Sequence, residues 1–166
     1  MLTLKRILVP IDFSEPSEAA LKYGIAMARG FNAKLHLLHV LAKAPAEPSE
    51  SVEHPIGLFE RMRDAAREHL GNILTDHEAK DLASEFTTHV GTPYVEIIRY
   101  AEDHDIDLIV MGTHGRGLVA HMLMGSVAEN VVRRAPCPVL TVRHRQHEFV
   151  MPDEPIAASA RVGDSR

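Results

Sequence analysis

The sequence predicts an α/β fold: a single open five-stranded parallel sheet, strand order 3-2-1-4-5, with helices on both faces in the Rossmann-like manner. Three observations predict it. Short β-branched runs alternate strictly with longer segments whose apolar residues recur every three to four positions, as βα units joined by right-handed crossovers require. At 166 residues with 45% hydrophobic content, the chain has the length of one domain and enough apolar material for a core without staples. Two chemically suggestive loops, one around Asp12 and one running from Gly112 to Ser126, follow the first and fourth strands. Both can serve one site only if those strands are neighbours where the strand order reverses.

Each element has its own signal. Arg6 to Pro10 is the first strand, and Ile11-Asp12-Phe13-Ser14 leads to a helix start marked by Pro16. From about Ser17 that helix carries Ala20, Leu21, Ile25 and Ala28 on one face and stops at Gly30, expected as a left-handed cap. Lys34 to Val40 alternates as a second strand. The stretch LAKAPAEPSESVEHPIG is too long and polar for a minimal connection and is expected to be a mobile surface loop. The next helix turns Phe59, Met62, Ala66, Leu70 and Ile73 inward, with Glu60, Arg61, Arg63 and Glu68 toward water. Ser84 to Val90 is strand three, with Phe86, Thr88 and Val90 on one face. Thr92 caps, and Pro93 opens, a helix bearing Val95, Ile98 and Ala101. Asp107 to Met111 is strand four. Ser126 to Arg134 is a helix with Val127, Val131 and Ala135 on its face, ended by Pro136, and Val139 to Val142 is strand five. Residues 1–145 make the domain. Residues 146–166, QHEFVMPDEPIAASARVGDSR, keep no sustained period and are expected to be a flexible tail.

Composition removes several function classes. A formal charge of -5 argues against nucleic acid, whose partners normally carry a basic face. The single cysteine, Cys137, excludes an intrachain disulfide framework. The opening MLTLKRILVPIDF has an apolar run too short for a signal peptide or a membrane span, so a soluble cytoplasmic protein without membrane contact is expected.

The densest chemical signal is MGTHGRGLVAHMLMGS, Met111 to Ser126. Gly112 and Gly115 are followed by nine residues and then Gly125-Ser126 at the start of a helix. A single glycine commonly does no more than end a strand or allow a turn. A spaced set beside a helix N-terminus does more: without β-carbons, backbone N–H groups can approach an anion, and the helix adds unpaired donors and its positive dipole end. One charge at such an end is worth about 0.3 to 1 kcal/mol, so a polyphosphate would need several contacts. Rival motifs fail on their own terms. Gly112 to Gly117 has P-loop glycine spacing, but Leu118 stands where the lysine belongs. Gly115-Arg-Gly117-Leu-Val-Ala120 satisfies a relaxed dinucleotide fingerprint, yet it follows the fourth strand, and the next strand ends in Arg143 and His144 without an acidic ribose ligand. A phosphoacceptor response regulator would need an aspartate after strand three, where Val90-Gly91-Thr92 stands.

The eleven histidines do not form a metal motif. His36 and His39 are three apart on a strand and face opposite sides. His144 and His147 lie by the tail, and His114 and His121 flank the glycine loop with no ligand cluster of known spacing. Hydrolysis would need a positioned base and charge stabilisation. Only His114 and Arg116 offer themselves, with no partner to fix a base, and Ser126 lacks a nucleophile elbow. No catalytic residue is assigned, and a weak ATPase is the most that is expected.

Four segments, ILVPIDFS, HVGTPYVEII, DLIVMGTHGRG and MGSVAENVVRRAPCPVLTVR, together resemble the universal stress proteins over residues 3 to 144. The spacing Gly112, Gly115, nine residues, Gly125-Ser126 matches the family's ATP-binding subgroup. The resemblance implies the 3-2-1-4-5 sheet, a homodimer paired along the last strand, here residues 139–143, and ATP between strands one and four. Carried over by position, Pro10, Ile11 and Asp12 would lie near ribose and adenine, and Val40 would offer backbone groups to adenine. Met111, Gly112, Thr113, His114, Gly115, Arg116, Gly125, Ser126 and Val127 would hold ribose and phosphates. A magnesium ion carried by ATP would have Asp12 as its one protein candidate. The function implied is an ATP-binding stress protein acting as a nucleotide-dependent sensor or switch toward a protein partner the sequence does not name. The alternative is a dimeric interaction or adaptor module whose nucleotide is only structural. An adenine pocket with an anion cradle leaves ATP, ADP, AMP and cyclic AMP all open.

Overall fold

The computed structural model describes residues 3–42, 55–76, 82, 84–113 and 124–143. Five strands and four helices alternate along the chain: β1 Arg6–Pro10, α1 Glu15–Phe31, β2 Lys34–Ala42, α2 Pro55–Asp76, β3 Ser84–Gly91, α3 Pro93–Asp103, β4 Leu108–Gly112, α4 Ser126–Arg134 and β5 Val139–Val142. All pairings are parallel and the order is β3-β2-β1-β4-β5, as expected. The Pro- and Glu-rich connection after β2 and the tail at 146–166 lie outside the described residues.

Parallel strands covered on both faces read as continuous apolar runs because successive side chains must satisfy two cores. In β1, Ile7 and Val9 join the core under α1 and α2, while Leu8 joins the one under α3 and α4. In β4, Leu108 and Val110 divide from Ile109 and Met111 in the same way. Ile7, Leu8, Val9, Ile109 and Val110 are all fully buried. Each such side chain contributes about 1.5 to 3 kcal/mol of transfer free energy. The start of β1 is pinned by Asp107, whose carboxylate accepts the Lys5 and Arg6 N–H groups at 2.7 and 2.8 Å.

The helices show where local pattern and packing part. The expected inner face of α1, Ala20, Leu21, Ile25 and Ala28, is buried. Its ends differ: the helix begins at Glu15 behind the N-cap Ser14, and the left-handed residue is Asn32 (φ 52, ψ 44), whose N–H reaches the Ala28 and Arg29 carbonyls. Gly30 is thus an ordinary helical residue. Asparagine tolerates the left-handed region almost as glycine does, which moves the cap two residues on. On α2, Ala66, Leu70, Ile73 and Leu74 are buried but Met62 is 43% exposed, so the apolar stripe ends short of it. The side chain of Phe59 is outside the described set. On α3 the buried residues are Ile97, Tyr100 and Ala101, whereas Val95 is 43% exposed. The helix is rotated because it packs on both β2 and α4, and Tyr100 finds a buried polar partner in His36, with its hydroxyl 3.0 Å from Nδ1.

A crevice where β1 and β4 separate

The site begins with a proline. β1 pairs with β2 as far as Pro10↔Leu38, but with β4 only through Ile7↔Leu108 and Leu8↔Ile109. Pro10 has no N–H to give a ladder, and beyond it the chain stays with β2 alone, the Ile11 N–H donating to the Leu38 carbonyl at 2.9 Å. β1 and β4 therefore separate, and because α1 and α4 leave toward opposite faces, a crevice opens at the carboxyl ends of the strands. A cavity of about 310 Å³ fills it, within the range of small-ligand sites.

Ten of the residues expected at the site line this cavity: Pro10, Ile11, Asp12, Val40, Met111, Gly112, Thr113, Gly125, Ser126 and Val127. His114, Gly115 and Arg116 lie outside the described residues, as does His121. Sequence reasoning missed Ser17, Leu38, Pro93, Ile97 and Ala128, which also line it. Pro93 was legible as a helix start, though not as one aimed at this crevice. Leu38 and Val40 share a strand face by period two.

The lining has two chemical halves. Ile11, Leu38, Val40, Ile97 and Met111 supply an apolar wall. The first turn of α4 also lines the cavity, and its Ser126, Val127 and Ala128 N–H groups have no partner in their own helix and carry its positive dipole end. Gly125, the N-cap, has φ -71 and ψ 153, a conformation open to any residue. Its own N–H donates to the Thr113 carbonyl at 2.6 Å, so that donor is spent inside the protein and the helix donors begin one residue later. The bond also joins the two described ends of the glycine-rich stretch. Gly112 likewise departs from a purely ligand-facing role. A Cβ there would stand 2.7 Å from the Pro16 carbonyl oxygen, so its missing side chain lets β4 pass under the first turn of α1.

Asp12 is the one charged side chain among the described lining residues. Its Oδ1 accepts from the Ser14 hydroxyl at 2.5 Å and the Ser14 N–H at 3.1 Å, and its N–H donates to Ser17 Oγ at 3.4 Å. It therefore organises the start of α1 as well as lining the cavity. Phe13, next in the chain, has φ 61, which for a non-glycine residue costs on the order of 1 to 3 kcal/mol. Its ring packs against His39 at 4.7 Å and His69 at 4.6 Å between centroids. His39, buried on β2, donates from Nδ1 to the Ile11 carbonyl at 2.7 Å.

Among the described residues, neither His36 nor His89 lines the cavity. His36 is buried on the opposite face of β2, and burial pushes its imidazole below the ordinary value. His89 donates from Nδ1 to Glu96 at 3.1 Å. Among the described residues no group of three or more His, Cys, Asp or Glu side chains could hold a metal ion, and no helix is long and apolar enough to cross a membrane. Burial pushes the Cys137 thiol above its ordinary range, which disfavours the thiolate.

Comparison with known proteins agrees with this geometry. A model of the universal stress protein family matches residues 3–143. Universal stress protein MJ0577 of Methanocaldococcus jannaschii is 32% identical over 155 residues, which cover 85% of this chain and 96% of the relative. The solved structure of the MJ0577 protein superposes with a TM-score of 0.76 at 34% identity, covering 88% of this chain and 100% of that one. A universal stress protein solved in complex with cAMP gives a TM-score of 0.59 at 26% identity, covering 85% of this chain and 98% of that one.

Proposed function

The chain belongs to the universal stress protein family, and from that premise we propose that it binds an adenine nucleotide, ATP foremost, in the β1–β4 crevice and acts as a nucleotide-dependent sensor or switch. The observation that carries this reading is the two-part lining: an apolar wall of Ile11, Leu38, Val40 and Ile97 together with the first turn of α4, whose N–H groups have no partner in their own helix. A flat hydrophobic base fits the first and an anion fits the second. A relative of this fold solved with cAMP supports the adenine class. Pro10, Ile11, Asp12 and Val40 would contact base and ribose. Met111, Gly112, Ser126 and Val127 would contact ribose and phosphates, beside Gly125 and the His114, Gly115 and Arg116 that the sequence adds.

No lysine or arginine stands among the described lining residues, so of these only the α4 backbone dipoles and the Ser126 hydroxyl would attract the phosphate charges, with the Asp12 carboxylate repelling them. Asp12 would be the protein ligand of a magnesium ion carried by the nucleotide, and that ion would offset the repulsion. Hydrolysis is expected to be slow at most, since the sequence offers His114 and Arg116 without a partner to fix a base. Exchange of bound nucleotide, rather than turnover, is then the signal, read by a protein partner or by the second subunit of a homodimer paired along β5.

Denaturing freshly purified full chain and identifying the released nucleotide by chromatography, followed by calorimetry with Mg-ATP, tests the reading. Released adenine nucleotide, or binding on addition, is expected. A protein that carries none and ignores added Mg-ATP, ADP, AMP and cyclic AMP overturns it. A nucleotide that binds without changing dimerisation or partner binding would mark it as structural only and the protein as an adaptor.

A further inference from the structure

The loop that lines the crevice after β1 is held from behind by side chains that never reach the cavity. Beyond Pro10 the chain leaves the ladder, and the Ile11 carbonyl is taken up by the side chain of His39 at 2.7 Å. A carbonyl only accepts, so His39 must carry its proton on Nδ1. Two residues on, Phe13 adopts the left-handed conformation, φ 61, with its ring against the same imidazole on one side and against His69 of α2 on the other. His39 is 7% exposed and is not among the residues lining the cavity. It therefore touches both the residue before Asp12 and the residue after it. The loop conformation is otherwise unfavourable for an aromatic residue, and conformations of that kind persist only where surrounding contacts over-determine them.

We propose that His39, through its hydrogen bond to Ile11 and its ring contact with Phe13, is the positioning residue that presets Ile11 and Asp12 for the bound ligand, with His69 tying the same loop to α2. This rests on the nucleotide reading of the crevice. A preset loop need not be ordered on binding, so the clamp acts on affinity rather than on contact area. The imidazole holds a backbone carbonyl that would otherwise be buried without a partner, and it supplies the surface on which the strained residue rests.

Two nearly isosteric amides separate positioning from bulk. His39→Asn can place its side-chain N–H where Nδ1 stands, whereas His39→Gln carries its amide farther out and leaves the Ile11 carbonyl unserved. Amide hydrogen exchange of residues 11–14 in the ligand-free full chain and calorimetric affinity for Mg-ATP are measured together, with circular dichroism confirming the fold. For His39→Gln we expect faster exchange at Ile11 and Asp12, unchanged exchange at Leu8 and Val9, and affinity reduced roughly three- to tenfold, with His39→Asn restoring both toward the parent. Phe13→Leu, which removes only the ring contacts of a loop residue, is the second variant should His39→Gln fail to fold. It is expected to show the same faster loop exchange and a smaller loss of affinity. Unchanged loop exchange in the folded variants overturns the clamp. Faster exchange with parent affinity overturns its role in binding while leaving the nucleotide reading intact. A parent chain that binds no adenine nucleotide overturns that reading and the binding role together, and the exchange data still report whether His39 orders the loop.

Discussion

Gly112→Ala separates the packing of the site from its ligand chemistry. The new Cβ would stand 2.7 Å from the Pro16 carbonyl oxygen and 2.8 Å from its carbonyl carbon, backbone atoms in the first turn of α1. Ordinary contact begins at 3.4 Å, so the turn has to retreat by about 0.7 Å or β4 has to yield. Overpacking of this kind costs about 1 to 3 kcal/mol, offset by about 0.4 to 1 kcal/mol from the reduced freedom of the unfolded chain. The expected net loss is about 1 to 2 kcal/mol, roughly 2 to 8 °C in Tm for a domain of this size. Because Ser17 and the Asp12–Ser14 bonds ride on that turn, Mg-ATP affinity should fall as well. Urea unfolding followed by circular dichroism reads the first effect and calorimetry the second. Gly30→Ala is the control, since nothing lies within 4 Å of its added Cβ, and it should leave stability equal or raise it by up to about 1 kcal/mol. A Gly112→Ala chain as stable as the parent would refute the close approach of α1 to β4.

Gly125→Val keeps a backbone conformation that valine accepts (φ -71, ψ 153), so the fold should survive while the side chain crowds the α4 donors; calorimetry should show Mg-ATP affinity lower by a factor on the order of a hundred, the equivalent of two charge-assisted hydrogen bonds, and parent affinity in the folded variant would argue against a phosphate cradle. For His36, burial holds the folded imidazole below 6.5, so below that pH the unfolded chain binds the extra proton first, and stability should decline as pH is lowered from 6.5 toward the folded value and level off beneath it. Urea unfolding from about pH 7 to about pH 5 should show this decline in the parent and a shallower one in His36→Leu; identical slopes would assign the acid sensitivity elsewhere. β5 closes one end of the sheet with half-buried Val139, Leu140 and Thr141, and an open edge of that character invites pairing, so sedimentation at micromolar concentration should give a dimer, with a monomer counting against pairing through residues 139–143.

The architecture was legible because one pattern recurred: apolar strands too continuous for one-sided burial, alternating with amphipathic helices. The strand order followed from a functional argument, that Asp12 and the glycine stretch had to meet, and β1 does lie between β2 and β4. What escaped the sequence depended on contacts distant along the chain. The burial of Tyr100 depends on His36, 64 residues away, which gives its hydroxyl a partner. Nothing local distinguishes Asn32 from Gly30 as a left-handed cap; the completed turn onto the Ala28 and Arg29 carbonyls decides it. Gly112 reads in the sequence as part of an anion cradle, and the Pro16 backbone beside it adds a packing reason for its missing side chain that no local pattern carries. His39 and Phe13 are ordinary residues in sequence and become a pair only when β2 lies beside the loop after β1. The apolar wall of the crevice was half visible, with Val40 expected and Leu38 not, though both point the same way along one strand.

The measurement that tests the central claim most directly is the map of amide NMR shifts in the full chain as Mg-ATP is added. The account predicts saturable shifts at Ile11, Asp12, Val40, Met111 and Gly112 and in the first turn of α4, at Ser126, Val127 and Ala128, with the β3 residues Glu85 to Thr88 unmoved. Absence of saturable shifts, or shifts clustered away from the β1–β4 crevice, would contradict it.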